Sequence, residues 1–297
     1  MAVTLRYKIL FGYIILMIVI GCMAAILIYE RRRMREIKAE TANINLVRRG
    51  INTAHRRITG LTVTTNDQYA GLFGCLGEAG TVKNVVMKGV QITCNHRSGF
   101  AGGVVGNSRG TVENCSVSGS VSGTECVGGV VGRQTSSGSI IGCSSSATVK
   151  GMRYVGGVAG EQWGTMTACY ATGNVTLETG SQNNLSGGGV VGLSGGNRVL
   201  ACYAIGNVNS KGGSTGNVHI GGLLGDNYTA VTACYWKNNQ EQGFGSNQHS
   251  TAPEATKVDG SVVTWQKAVD AMNIALQNAG SEWRYELNGT LPTLRKQ

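Results

Sequence analysis

The feature that most limits what this chain can fold into is a five-residue glycine block that recurs six times: AGLFG (70–74), GGVVG (102–106), GGVVG (128–132), GGVAG (156–160), GGVVG (188–192) and GGLLG (221–225). The final glycines lie 32, 26, 28, 32 and 33 residues apart, a period typical of solenoids and propellers. A unit this short cannot bury an apolar face alone, so copies must stack and share one core.

A second block follows each of the first: GTVKNVVMKG, GTVENCSVSG, GSIIGCSSSA, GTMTACYATG, NRVLACYAIG and TAVTACYWKN. Aligning them puts Val85, Cys115, Cys143, Cys169, Cys202 and Cys234 in one column. From each the chain alternates, as in Cys115, Val117, Gly119 and Val121, which places these side chains on one face of a strand. Equivalent residues then stack in register along an axis. The expectation is a mainly β chain whose residues 62–250 form a parallel β-helix of about six rungs. A content of 46 Gly against 2 Pro, without a collagen triplet and with 41% apolar residues, fits turn-rich β structure better than collagen or disorder.

Five of the nine cysteines occupy the ladder position at spacings of 28, 26, 33 and 32. Thiols stacked in an alternating strand behave as small core hydrophobes. Cys75, Cys94 and Cys126 fall outside the ladder and could pair in an oxidising compartment. No CxxC pair is present, so no metal and no cofactor are expected.

Ahead of the repeats, residues 9–29 (ILFGYIILMIVIGCMAAILIY) carry no charge and are long enough as a helix to cross a bilayer. Residues 1–29 therefore read as a transmembrane anchor. The net charge of +10 concentrates here: residues 1–59 hold 11 Lys and Arg against 3 Asp and Glu. The repeat region is nearly neutral, which fits membrane topology and argues against a nucleic-acid partner. The flank ERRRMREIK taken alone places the following region in the cytoplasm; a short N-terminus and the interleaved Glu30, Glu36 and Glu40 argue the other way. Ile37, Ile44, Ile51 and Ile58 recur every seven residues, so residues 30–61 read as a juxtamembrane helix through which the chain could dimerise.

Residues 5–61 resemble the membrane-anchored opening of bacterial sensor histidine kinases. That resemblance implies a single-pass bacterial inner-membrane protein whose repeats lie outside the cytoplasm. The chain departs from those kinases afterwards, without phosphoacceptor helix or ATP-binding domain, and kinase activity is not implied. The glycine blocks and the strands after them resemble GLUG repeats over residues 69–236. GLUG repeats occur in bacterial surface proteins and beside the catalytic domains of some immunoglobulin-A-cleaving metallopeptidases, which implies an extracytoplasmic, non-catalytic module.

Candidate sites are few. Gly187, Gly189 and Gly192 spell GxGxxG, but the block recurs as repeat punctuation without a βαβ unit. The acids between residues 65 and 250 are scattered, no HExxH is present, and His55, His96, His219 and His249 are isolated in sequence, so no enzyme is expected. Arg133 and Glu161 follow the glycine block in successive repeats and should form a surface ion pair. Tyr170, Tyr203 and Tyr235 each follow a ladder cysteine and therefore point away from the core, which predicts an exposed tyrosine column. Such a column could stack on sugar rings, anchor a protein, or serve only to stabilise the sheet.

From Thr264 the period changes. Trp265, Val269, Met272 and Leu276 share a helical face that Gly280 ends, and an Asn288-Gly289 hairpin follows. Residues 251–297 thus read as a C-terminal helix and hairpin capping the solenoid. The sequence favours a membrane-anchored binding or adhesion module for an unknown glycan or protein ligand. Competing readings are a sensory input remnant of a two-component kinase and a glycan-active β-helix enzyme.

Overall fold

The computed structural model describes residues 56–178, 184–212 and 216–297. The expected transmembrane anchor, most of the expected juxtamembrane helix and the dimer contact expected of it fall on residues outside those described. Among the described residues no helix is long and apolar enough to cross a membrane.

The repeats form a parallel β-solenoid of about six turns. In one turn, Ser144–Ser145 and Thr148–Gly151 join sheet A, Tyr154–Gly156 sheet B, Ala159–Gln162 sheet C and Thr165–Thr167 sheet D. The next turn enters the same four sheets in register. Stacking brings like residues together: Val82, Val112, Ile140, Met166, Val199 and Val231 form one inward column on sheet D, all buried. Burying each such side chain contributes about 1.5–3 kcal/mol. The column succeeds only if neighbouring turns have the same register, because a one-residue slip would turn it outward.

The cysteine ladder holds. Cys115, Cys143, Cys169, Cys202 and Cys234 are buried free thiols one residue before the paired column of Ser116, Ser144, Tyr170, Tyr203 and Tyr235. The adjoining Cys143 thiol and burial raise Cys115 well above the ordinary thiol range, and burial raises Cys143 and Cys202. Outside the ladder, Cys75, Cys94 and Cys126 are also free, and of these only Cys75 is exposed.

Directly before each ladder position the backbone turns left-handed. Asn84, Asn114, Gly142, Ala168, Ala201 and Ala233 all have φ between 49° and 61°. Asn and Gly tolerate this region, whereas alanine is strained there. The alanines occur where a second body covers the turn: Ala168 and Ala201 are buried in its apolar contact and Ala233 packs beside them. An asparagine amide would have no room for water there.

That second body is the C-terminal helix and hairpin. The helix spans Trp265–Asn278, with the Thr264 hydroxyl accepting from the Lys267 N–H at its start. Trp283–Asn288 and Leu291–Lys296 form the hairpin. Asn273 joins the two, donating to the Tyr285 carbonyl at 2.9 Å and accepting from its N–H at 2.8 Å.

Three boundaries differ from the sequence expectation. Arg56–Thr59 is not helical but a strand paired in parallel with Val85–Cys94; Ile58 and Leu61 pack on the solenoid core. Ile58 thus belongs to a strand, and the solenoid already includes residues 56–59, ahead of the expected start at 62. At the other end, Phe244–Asn247 extends sheet C, and Ala255–Lys257, past the expected limit of 250, extends sheet A. The C-terminal unit, finally, does not cap the end of the solenoid. Trp236 plugs the lumen there, its ring so close to Gly222 and Gly243 that a Cβ at either would lie 2.4 or 2.7 Å from it. The helix and hairpin instead lie lengthwise along the side, from Glu113, bound by Lys296 at 2.7 Å, to Ala201, whose carbonyl accepts from the Tyr285 hydroxyl at 2.9 Å.

Two measurements check this arrangement. Under native conditions iodoacetamide should modify Cys75 and spare the five ladder thiols until the protein is unfolded, as read by peptide mass spectrometry; equal labelling would contradict the buried ladder. Gly142→Ala forces a left-handed alanine whose Cβ would lie 2.3 Å from the Trp283 ring. It should cost about 2–4 kcal/mol in urea unfolding; a loss below about 0.5 kcal/mol would contradict the Trp283 placement.

Candidate functional site

On the outer face of sheet A two columns run side by side. One holds Ser116, Ser144, Tyr170, Tyr203 and Tyr235, the other Ser118, Ser146, Thr172, Ile205 and Lys237, two residues further along each strand. The three tyrosines do share one face, as the alternation requires, but they are not an exposed column. Tyr203 is 1% exposed, because the C-terminal unit seats on it: its hydroxyl donates to the Pro292 carbonyl, and the Trp265 and Tyr285 rings meet it edge-on at 5.1 and 5.7 Å. Alternation sets the direction of these side chains but carries no trace of the body that covers them.

The cover divides the column into two separate clefts. Tyr235 faces one of about 750 Å³ against the helix, where alanines, Pro253 and the exposed Ile274 alternate with polar groups that include Arg198 and Glu254. Tyr170 faces one of about 470 Å³ between sheet A and the hairpin. Its ring stacks on Tyr203 at 4.8 Å and 1°, a separation set by the spacing of adjacent strands. In the two preceding turns the column holds Ser144 and Ser116 instead of tyrosine, so the stack ends and an open slot begins. Ser116, Ser118, Ser144 and Ser146 form its floor, and Leu291, Pro292 and Thr293 its wall. Among the described residues the hydroxyls of Ser116, Ser144, Ser146 and Thr172 make no hydrogen bond within the protein. A concave site with one aromatic face and a few convergent polar groups is the usual form of a small-ligand pocket.

The corner between sheets B and C gathers the charged residues. Arg133 and Glu161 meet at 2.9 Å as their repeat positions predict, but Glu161 is buried instead of lying on the surface. Its carboxylate also accepts from the Trp163 indole at 2.7 Å and the Cys126 thiol at 3.5 Å, while the Arg133 guanidinium stands over the Phe100 ring. Two turns on, buried Asp226 accepts from the Ser186 hydroxyl and lies 2.5 Å from His219 Nδ1. His219, isolated in sequence, thus has a carboxylate partner. Both acids have their oxygens engaged, the arrangement of groups that hold a corner together. Among the described residues no group of His, Cys, Asp and Glu is arranged to hold a metal ion. Gly187, Gly189 and Gly192 lie at the turn from Leu185–Gly188 to Val191–Ser194, as punctuation.

Sequence reasoning found the tyrosines and missed the serines that complete the slot. The available signal was that Ser116 and Ser144 occupy the tyrosine position in the preceding turns. The Pro292 wall comes from more than 100 residues away and left no local trace.

The fold defines a parallel β-solenoid, within which the family model described as the GLUG motif matches residues 123–150 and 153–176. Among known proteins, the chain is 45% identical over 67 residues to halomucin of Haloquadratum walsbyi, covering 23% of this chain and 1% of that protein. It is 38% identical over 76 residues to a protein of Evansella cellulosilytica named as a Gly-rich membrane protein, covering 25% of this chain and 9% of the relative. The chain thus spans only a small part of the curated relatives it matches. A crystal structure named for a candidate immunoglobulin A1 protease of Bacteroides ovatus superposes with a TM-score of 0.58 at 19% identity, over 80% of this chain and 75% of that one. At that identity the likeness is one of fold.

Burial holds Tyr203 and Tyr285 as neutral phenols above the ordinary tyrosine value of about 10. The stability they supply is complete below that value and is lost as pH rises above it, since the unfolded chain ionises first. Urea midpoints between pH 8 and 11 should therefore fall in the wild type and fall less steeply in Tyr285→Phe. Equal slopes would contradict burial of that hydroxyl.

Proposed function

We propose that the chain is a membrane-anchored, extracytoplasmic repeat protein that binds a ligand or surface without transforming it. The observation that carries this reading is the slot beside Tyr170: unpartnered hydroxyls, one open ring face and Lys88 line it, and no carboxylate does among the described residues. That equipment suits holding a ligand better than catalysing its hydrolysis, which needs positioned acids. The uncharged run at residues 9–29 and the relative named as a Gly-rich membrane protein support the anchor. The GLUG motif supports a repeat module on the cell surface.

Two arms test the reading. Protease added to intact cells expressing the full chain should remove the repeats; protection until the inner membrane is breached would overturn the extracytoplasmic placement. Cells displaying the full chain should be retained on at least one of a set of immobilised polysaccharides and extracellular proteins. Ser144→Trp, which fills the slot, should cut retention about tenfold. Equal retention of both chains would overturn the slot as the binding site.

A further inference from the structure

We infer that the slot takes one neutral hexopyranose ring, stacked on the free face of Tyr170 with its hydroxyl rim on the serine floor; this rests on the binding reading above. Tyr170 has one ring partner among the described residues, Tyr203, and its other face looks along the solenoid axis toward Ser144. The site next to it is where a third ring of the stack would lie. Serine in that turn leaves the space open, and the cleft of about 470 Å³ falls within the usual range for small-ligand sites.

The chemistry of the walls selects the occupant. A pyranose presents an apolar C–H face and a rim of hydroxyls that both donate and accept. Tyr170 supplies an apolar face, and Ser116, Ser144 and Ser146 supply free hydroxyls with the same two-way capacity. A peptide aromatic side chain could stack on the ring equally well, yet it would cover three polar groups without pairing them, and unpaired buried hydroxyls weaken binding. A phosphorylated or nucleotide ligand would find Lys88 as its one cation in the lining. The platform is also held in advance: Tyr203, behind Tyr170, bonds Pro292 of the wall, so ring and wall are fixed by a single buried side chain. Such preorganisation lowers the ordering cost of binding.

The test uses the full chain in a detergent without a sugar headgroup. Methyl α- and β-glycosides of glucose, galactose and mannose, methyl glucuronide, and N-acetylphenylalanine amide are titrated by saturation-transfer NMR, with tryptophan fluorescence as a second readout because Trp283 lines a smaller cleft that shares Ser116, Ser144 and Tyr170 with the slot. At least one neutral glycoside should bind. Tyr170→Phe should keep its affinity within about twofold, and Tyr170→Ala and Ser144→Trp should each weaken it about tenfold. Ser144→Trp extends an existing ring stack at a half-exposed position, so it decides the outcome if Tyr170→Ala unfolds. Binding of the amide or the glucuronide alone overturns the neutral-sugar assignment. So does the absence of glycoside binding while Ser144→Trp still abolishes surface retention, a result that leaves the binding module standing. If neither glycosides nor surfaces distinguish wild type from Ser144→Trp, both inferences fall.

Discussion

Every element of this structure depends on in-register stacking of parallel turns. Each turn leaves its backbone N–H and C=O groups pointing along the axis, where only another turn can satisfy them. The inward columns follow from that requirement: once turns stack, side chain lies over like side chain, and the core is a set of homologous columns. The sheet A column running from Met87 through Val117, Ser145, Ala171 and Ala204 to Trp236 shows the rule and its limit. Small residues suit the narrow interior, while the ends carry the bulky residues that close it. The glycine blocks serve the same end, since at Gly128, Gly156 and Gly188 a Cβ would lie 2.0–2.1 Å from a carbonyl two corners of backbone bring close.

A polar column shows how the constraint handles buried hydrogen-bonding groups. Gln134, Gln162, Ser194 and Asn227 stack at the end of the sheet C strands and are fully buried. They bond turn carbonyls and one another: Gln162 donates to the Gly164 carbonyl and Ser194 to Gln162 Oε1, both at 2.5 Å, and Asn227 donates to the Thr229 carbonyl at 3.1 Å. These side chains satisfy corner backbone groups that no strand can reach, which is the condition for burying a turn at all.

What the sequence made legible was whatever repeats. The cysteine ladder, the solenoid, the outward direction of Tyr170, Tyr203 and Tyr235, and the proximity of Arg133 to Glu161 all follow from period and alternation. The left-handed corner was half legible: Asn84, Asn114 and Gly142 carry its residue preference, whereas Ala168, Ala201 and Ala233 conceal it because tertiary cover overrides local preference. The helix Trp265–Asn278 could be read with its apolar face, but amphipathicity states that a face is buried and not against what. Its partner surface was therefore missed, and with it the burial of Tyr203. The first strand was missed for a different reason, since Ile58 is the one apolar residue of Arg56–Thr59 and extends a seven-residue series, so no alternation is visible there.

The lengthwise seating of the C-terminal unit gives the slot a history. Its floor belongs to the second and third turns and its wall to residues 291–293, which leave the ribosome well over a hundred residues later. The solenoid can wind and bury its cysteines while synthesis is still under way, yet at that stage the serines face open water with nothing opposite them. The slot is therefore completed in one late event, after the stacked turns are already built. A nascent or C-terminally clipped chain would lack the slot's wall and leave Tyr203 uncovered.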